Sequence, residues 1–91
     1  MDRAILLLRC RTLETFLNKI EESGYNIDVS MEASKCADKI LENTPRAEFS
    51  SEEYETLRRN LEHFSLAVFA DNTDWARESL EKVKELAHNY F

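Results

Sequence analysis

Apolar residues recur every three or four positions along most of the chain, which is the spacing of one face of an α-helix. Short segments with helix-breaking or capping residues separate four such stripes. The pattern therefore predicts an all-α fold with four helices. In chain order, the stripes are Leu6, Cys10, Leu13, Phe16, Leu17 and Ile20; Val29, Ala33, Cys36, Ala37, Ile40 and Leu41; Tyr54, Leu57, Leu61, Phe64 and Val68; and Ala76, Leu80, Val83, Ala87 and Tyr90.

The segments around the first two stripes set their boundaries. The first helix is predicted from about Asp2 to Ser23, and it ends at Gly24, the only glycine in the chain and a natural left-handed cap. Asp28 is predicted to cap the second helix. Pro45 is predicted to end that helix, because the residue before a proline is disfavoured in the α region.

The start of the third helix carries the clearest local signal. Ser50 and Glu53 have the spacing of a capping box, and Phe49 and Tyr54 have the spacing of a hydrophobic staple. The Asp-Asn-Thr-Asp segment at 71–74 is predicted to end this helix and to cap the fourth. Such short connections force neighbouring helices to be antiparallel. We therefore predict a compact antiparallel four-helix bundle, formed as a single domain by residues 1–91.

The two halves of the chain share a short repeat. Residues 11–16 and 59–64 both read Arg-x-Leu-Glu-x-Phe, and each copy lies in the first helix of a predicted hairpin. Two similar helical hairpins from a duplication would explain the match. Chance would explain it as well, because amphipathic helices often contain Leu, Glu and Arg.

Composition excludes several classes of protein. One Gly and one Pro leave no material for glycine-rich phosphate loops or for a sheet-rich fold with tight turns. The apolar run at 4–8, which Arg9 ends, is too short for a membrane span or a secretory signal. Cys10 and Cys36 lack Cys-x-x-Cys spacing and are predicted to be reduced core thiols. We expect a mature cytoplasmic protein with no membrane partner.

Charge is unevenly distributed along the chain. The net charge of -6 disfavours general attraction to nucleic acid or anionic lipid, so we expect no direct nucleic-acid partner. Residues 1–20, however, carry four basic and two acidic side chains, a net charge of +2, and the rest of the chain carries a net charge of -8. Residues 1–20 are therefore a basic region on an acidic protein.

Residues that could support catalysis are few. Glu85 and His88 have the Glu-x-x-His spacing of di-iron bundles, but the second such motif is missing. His63 precedes Phe64 on the flank of the third stripe, which is an unsuitable setting for a phosphotransfer histidine. Neither cysteine has a base near it in the sequence. We therefore predict no catalytic residue, no metal and no cofactor, and a protein that is not an enzyme.

The strongest anomaly is the apolar run at 4–8. Consecutive positions go right round a helix, so one core cannot cover all of them. A second apolar stretch at 64–70 has residues off the stripe, and in an up-down bundle the two stretches lie at opposite ends. We predict an interface from these outward apolar residues and the arginines beside them: Arg3, Ile5, Leu7, Leu8, Arg9, Arg11, Leu66 and Phe69.

The favoured function is a small acidic protein–protein interaction module of the adaptor or inhibitor type. It is expected to form a homodimer through its N-terminal helix and to bind a further protein that the sequence does not identify. Two alternatives remain open. One is an acidic decoy whose glutamates on the third and fourth helices inhibit a nucleic-acid-binding protein. The other is a small anionic-ligand binder that holds a phosphate with Arg3, Arg9 and Arg11.

Overall fold

The chain folds into four α-helices along a common axis. The computed structural model describes residues 3–88, and these residues measure 37 × 19 × 19 Å. The elements are α1 (Arg3–Ser23), α2 (Ile27–Asn43), a 3-10 turn (Arg46–Glu48), α3 (Ser51–Phe69) and α4 (Thr73–His88).

Neighbouring helices pack in a closed ring. α1 packs on α4, α4 on α3, α3 on α2, and α2 on α1, with the least extensive contact between α1 and α2. Each connection reverses the chain direction, so all four neighbours are antiparallel. α1 and α3 begin at the end where α2 and α4 finish, which we call the lower end; the opposite end is the upper end. The predicted antiparallel four-helix bundle is confirmed.

The four predicted stripes form the core. Phe16, Val29, Cys36, Leu41 and Tyr54 lie only partly buried at its edge, and Tyr90 lies outside the described residues. The buried members of the stripes are Leu6, Cys10, Leu13, Leu17 and Ile20 on α1, Ala33, Ala37 and Ile40 on α2, Leu57, Leu61, Phe64 and Val68 on α3, and Ala76, Leu80, Val83 and Ala87 on α4.

Among residues 3–88, no helix combines the length and the apolar character that crossing a lipid bilayer requires.

The connection between α1 and α2 corrects one predicted boundary. Gly24 follows α1 with a φ of +83°, as expected of a left-handed cap. The N-cap of α2, however, is Asn26, whose Oδ1 accepts the backbone N–H of Asp28 at 2.9 Å. The prediction that Asp28 is the cap is wrong, because this residue already lies within the first turn. In this position, its carboxylate interacts favourably with the positive end of the helix dipole.

The boundaries of α3 follow the prediction. Ser50 Oγ accepts the backbone N–H of Glu53 at 3.1 Å, and Glu53 Oε1 accepts the backbone N–H of Ser50 at 2.9 Å, which completes the capping box. After α3, Asp71 adopts a left-handed φ of +54°. Asn72 then accepts the backbone N–H of Trp75 at 3.0 Å and caps α4.

Arg3 joins four parts of the chain at the lower end. Its Nη1 and Nη2 each donate to the Glu53 carboxylate at 3.0 Å. Nη1 also donates to the carbonyl of Leu86 at 2.9 Å, and Nη2 to the carbonyl of Glu48 at 2.7 Å. The guanidinium lies 4.1 Å from the ring centroid of Phe49. We call these five residues the Arg3 cluster.

The structure therefore places Arg3 inside the bundle, where only 6% of the residue is exposed, and not at the rim of an interface as predicted. The reason is its position. Arg3 precedes Leu6 by three residues and Cys10 by seven, so it lies on the buried stripe of α1. Acceptors from α3, α4 and the 3-10 turn offset the cost of burying this charge.

The capping box gives the first prediction. Ser50→Ala removes the acceptor of the Glu53 N–H and should cost about 1 kcal/mol, which lowers the melting temperature by roughly 4–8 °C in a domain of this size. Thermal unfolding followed by circular dichroism measures the change. The control is Ser51→Ala, because Ser51 is exposed at the first position of α3 and does not cap it. Equal melting temperatures for both variants would contradict the assignment.

The Arg3 cluster gives a prediction about pH. The hydrogen bonds from Arg3, and then the backbone N–H of Ser50, lower the pKa of Glu53 from 4.5 to about 2. A carboxylate with a lowered pKa stabilises the fold above its unfolded pKa, and this stabilisation is lost as the pH falls from about 4.5 to about 2. Arg3→Met should therefore cost about 1.5–3 kcal/mol at pH 7. It should also flatten the dependence of the melting temperature on pH below about 5.

The control for this prediction is Arg77→Met. Arg77 Nε donates to Glu21 Oε2 at 3.1 Å, and both side chains are more than a third exposed. Solvent screens such a pair, so its loss should change stability much less. Equal effects of the two substitutions at pH 7, or an unchanged pH profile for Arg3→Met, would show that the Arg3 cluster is not a stabilising contact.

Candidate protein-interaction surfaces

The outer face of α1 exposes two aliphatic side chains. Ile5 is 41% exposed and Leu8 is 58% exposed. Arg11 follows Leu8 by three residues and is also exposed, so it lies next to Leu8 on the helix. We call Ile5, Leu8 and Arg11 the N-terminal surface. The structure thus keeps three of the predicted interface residues together on a rigid helix.

Leu7 lies on a different side of α1. It is partly buried and packs against the core. It precedes Glu14 by seven residues, and the carboxylate of Glu14 pairs with Nζ of Lys84 on α4 at 2.5 Å. Leu7 therefore faces the α4 side, where it supports the fold. Leu7 is thus partly exposed and partly packed against the core, whereas Leu8 is 58% exposed.

The three arginines of the predicted rim do not converge. Arg3 is inside the lower end, and Arg11 is exposed. Arg9 is partly buried on the side of α2. Burial raises the pKa of Cys36 there, and the positive charge of Arg9 acts in the opposite direction. At about 100° per residue, Arg9 and Arg11 lie roughly 160° apart around the helix. This arrangement gives no shared phosphate site.

A groove of about 360 Å³ lies between α2 and α3. Leu66 and Phe69 give it apolar walls, with exposed fractions of 58% and 40%. Both were predicted interface residues, and both lie towards the upper end of the bundle, opposite the N-terminal surface. The residues that line the groove are Ser34, Asp38, Glu62, Ser65, Leu66 and Phe69.

Sequence reasoning missed the contribution of α2 to this region. Met31 is 44% exposed and Ile27 is 50% exposed. They precede Ser34 by three and seven residues, so they continue the same face of α2 above the groove. The sequence contains one indication that they are exposed, because neither residue belongs to the buried stripe of α2. We call the lining residues together with Met31 the groove surface.

The groove is acidic. Among residues 3–88, the carboxylate of Asp38 forms no ion pair, and that of Glu62 accepts a hydrogen bond from Arg58 Nη1 at 2.7 Å. Arg58 is shared with Glu55, so this trio keeps a net negative charge. The Oγ atom of Ser65 is buried and has no hydrogen-bond partner within the described part of the chain. The groove therefore suits apolar side chains that are accompanied by positive charge.

Several glutamates of α3 and α4 form ion pairs with basic side chains on the same helix. Arg58 bridges Glu55 and Glu62 on α3. On α4, Nζ of Lys82 lies 4.0 Å from the carboxylate of Glu78. Such pairing on exposed helix faces lowers the density of negative charge that a nucleic-acid decoy needs.

The candidate catalytic residues lie in ordinary structural settings. The rings of His63 and Trp75 are in contact, with centroids 5.6 Å apart. Burial raises the pKa of Cys10 to about 12, which opposes formation of a nucleophilic thiolate. Residues 3–88 contain no group of three or more His, Cys, Asp or Glu side chains placed to hold a metal ion. The side chain of His88 is outside the described part of the structure.

Comparison with known proteins gives no relative from which a role can be transferred. No family model matches the chain, and no curated protein or solved structure is significantly similar to it. The surfaces of the bundle itself are therefore the basis for inferring its function.

Proposed function

We propose that this protein is a small acidic interaction module of the adaptor or inhibitor type, without catalytic activity, that self-associates through its N-terminal helix. One observation supports this proposal above the others: Ile5 and Leu8 remain exposed on a helix whose buried face is already complete. Aliphatic side chains next to an arginine are typical of protein interfaces, which combine an apolar centre with a polar rim. The proposed homodimer covers them.

The size of the contact limits how the copies can meet. Burial of one aliphatic side chain contributes at most roughly 1.5–3 kcal/mol. Ile5 and Leu8 are already about half covered in the monomer. Burial of the four side chains of two copies therefore contributes only about 3–6 kcal/mol, against an association cost of about 4–15 kcal/mol. The N-terminal surface therefore needs additional apolar contacts from the surface that receives it. A further, unidentified protein partner is also part of this proposal.

The two other functions have weaker support. The separation of Arg3, Arg9 and Arg11 removes the geometry that a phosphate binder would use. The ion pairs on α3 and α4 weaken the case for a nucleic-acid decoy. We also propose a cytoplasmic location, because Cys10 and Cys36 are free thiols, which persist in reducing compartments.

Self-association leads to a third prediction. The wild-type protein should sediment as a dimer at micromolar concentration, and Leu8→Asp should sediment as a 10.7 kDa monomer with unchanged helicity. Leu8 is exposed, so the charged side chain costs the fold little but opposes burial at an interface. Leu6→Asp should unfold the protein instead, because Leu6 is 1% exposed. Sedimentation velocity and circular dichroism distinguish these outcomes.

Tyr25→Asp is the matched control for Leu8→Asp. Tyr25 is 45% exposed in the connection between α1 and α2, outside both candidate surfaces. This variant should remain dimeric. A wild-type protein that stays monomeric at about 100 μM would contradict self-association. A Leu8→Asp variant that dimerises as well as wild type would contradict the role of the N-terminal helix.

A further inference from the structure

We propose that the groove surface binds an amphipathic helix of a partner protein, whose apolar face is flanked by lysine or arginine. This proposal rests on the interaction function above and specifies the chemistry of its unidentified protein partner. The groove lies between α2 and α3, whereas the N-terminal surface lies on α1. In the ring of helices, α1 is diagonally opposite α3. The protein can therefore self-associate and bind this helix at the same time.

The groove runs along the bundle axis between two antiparallel helices. Ser30 Oγ on α2 donates to the carbonyl of Val68 on α3 at 3.1 Å, which aligns the two helices near their upper ends. From this level downwards, Met31 and Asp38 are seven residues apart on one face of α2, a distance of two helical turns or about 10 Å. The groove surface is therefore long enough for two turns of another helix laid along it.

The apolar and acidic parts of the groove surface lie at different levels. The side chains of Met31, Leu66 and Phe69 are exposed towards the upper end. Asp38 follows Met31 by seven residues, and Glu62 precedes Phe69 by seven, so both carboxylates lie about two turns further down. A helix bound along the groove would therefore place apolar side chains at one end of the contact and a basic side chain two turns away.

The acidic end of the groove keeps a net negative charge. Among residues 3–88, Asp38 makes no ion pair, and neither does Glu42, which lies one turn further along the same face of α2. On α3, Arg58 is shared between Glu55 and Glu62, so this trio also remains negative. A basic side chain of a bound helix would therefore meet carboxylates that the bundle has not neutralised, which favours binding and orients the helix.

The basic side chains of α2 lie beside the groove and not in it. Lys35 and Lys39 directly follow the lining residues Ser34 and Asp38, so each is turned by about 100° around the helix, away from α3. Both lysines are exposed. Acidic groups therefore supply the charge of the lining itself.

The groove favours a helix over an extended segment. Its walls are the sides of α2 and α3, whose backbone groups are hydrogen-bonded within each helix. A segment that docks there gains side-chain contacts but finds no strand edge to pair with. It must satisfy its own backbone N–H and C=O groups, which a helix does internally.

A synthetic peptide tests the groove directly. The probe is a fluorescein-labelled peptide of about 16 residues, built from leucine, alanine and lysine, with leucine at every third or fourth position and lysine beside this apolar face. The control peptide has the same composition, but its leucines are spread around the helix. Fluorescence anisotropy measures both dissociation constants. The patterned peptide should bind about tenfold more tightly than the control, or better.

A matched pair of variants tests the apolar part. Leu66→Gln removes apolar area from the groove surface and should raise the dissociation constant of the patterned peptide by about fivefold or more. Leu8→Gln is the control, because Leu8 has the same exposed fraction of 58% but lies on the N-terminal surface. Leu8→Gln should bind the peptide like wild type, although it weakens self-association.

A second pair tests the charge. Asp38→Lys should raise the dissociation constant of the patterned peptide by about threefold or more, with the largest effect at low salt. Glu32→Lys makes the same change of net charge on the same helix, but Glu32 is an exposed residue outside the groove lining. This control should bind the peptide nearly as well as wild type.

The outcomes separate groove binding from self-association. Equal binding of the patterned and control peptides to wild type, or equal weakening by Leu66→Gln and Leu8→Gln, would overturn the proposed helix site. A wild-type dimer that Leu66→Gln dissociates would show that a second copy occupies the groove, and would overturn it as well. A wild-type protein that is monomeric at about 100 μM but binds the patterned peptide as expected would contradict self-association alone and support the helix site.

Discussion

The contact between Arg3 and Glu53 holds the first turn of α1 against α3 and α4. Arg3 lies in the first turn of α1, yet its guanidinium reaches the start of α3 and the last part of α4. The first turn of a helix has unsatisfied N–H groups and tends to fray. Four hydrogen bonds and a ring contact hold this turn in place. This contact adds to the burial of the apolar stripe that begins at Leu6, and together they leave Ile5 and Leu8 on the outside.

The same contact connects the basic and acidic parts of the molecule. Within the lower end, the positive charge of Arg3 is balanced by Glu53. Arg11, two turns further along α1, has no such balance among residues 3–88. The bundle therefore neutralises one arginine internally and presents another beside exposed aliphatic side chains. Exposed aliphatic side chains next to Arg11 are the physical basis of the proposed self-association.

The fold was predictable because its signals are local. Helical periodicity identified the core, and the Ser50–Glu53 capping box identified the start of α3. The cap of α2 was misplaced because Asn26 and Asp28 are both good N-cap residues two positions apart, and only the backbone geometry distinguishes them. Boundaries of this kind depend on a single pair of dihedral angles.

The surfaces were less predictable because they depend on contacts between distant parts of the chain. Arg3 has partners 45, 50 and 83 residues away, and nothing near it in the sequence indicates them. Leu7 belongs to the run of apolar residues at 4–8. Only the position of α4 shows which of these side chains α4 covers. The groove depends on how α2 and α3 are rotated relative to each other. The apolar stripe of α2 therefore does not show that Met31 lies beside the groove.

Nuclear Overhauser effects between two copies give the most direct test of self-association through the N-terminal surface. The sample mixes uniformly ¹³C-labelled and unlabelled protein, and a filtered experiment selects contacts between copies. We expect contacts between copies that involve the methyl groups of Ile5 or Leu8. Contacts between copies that involve neither of these residues, in a sample that sediments as a dimer, would contradict this account.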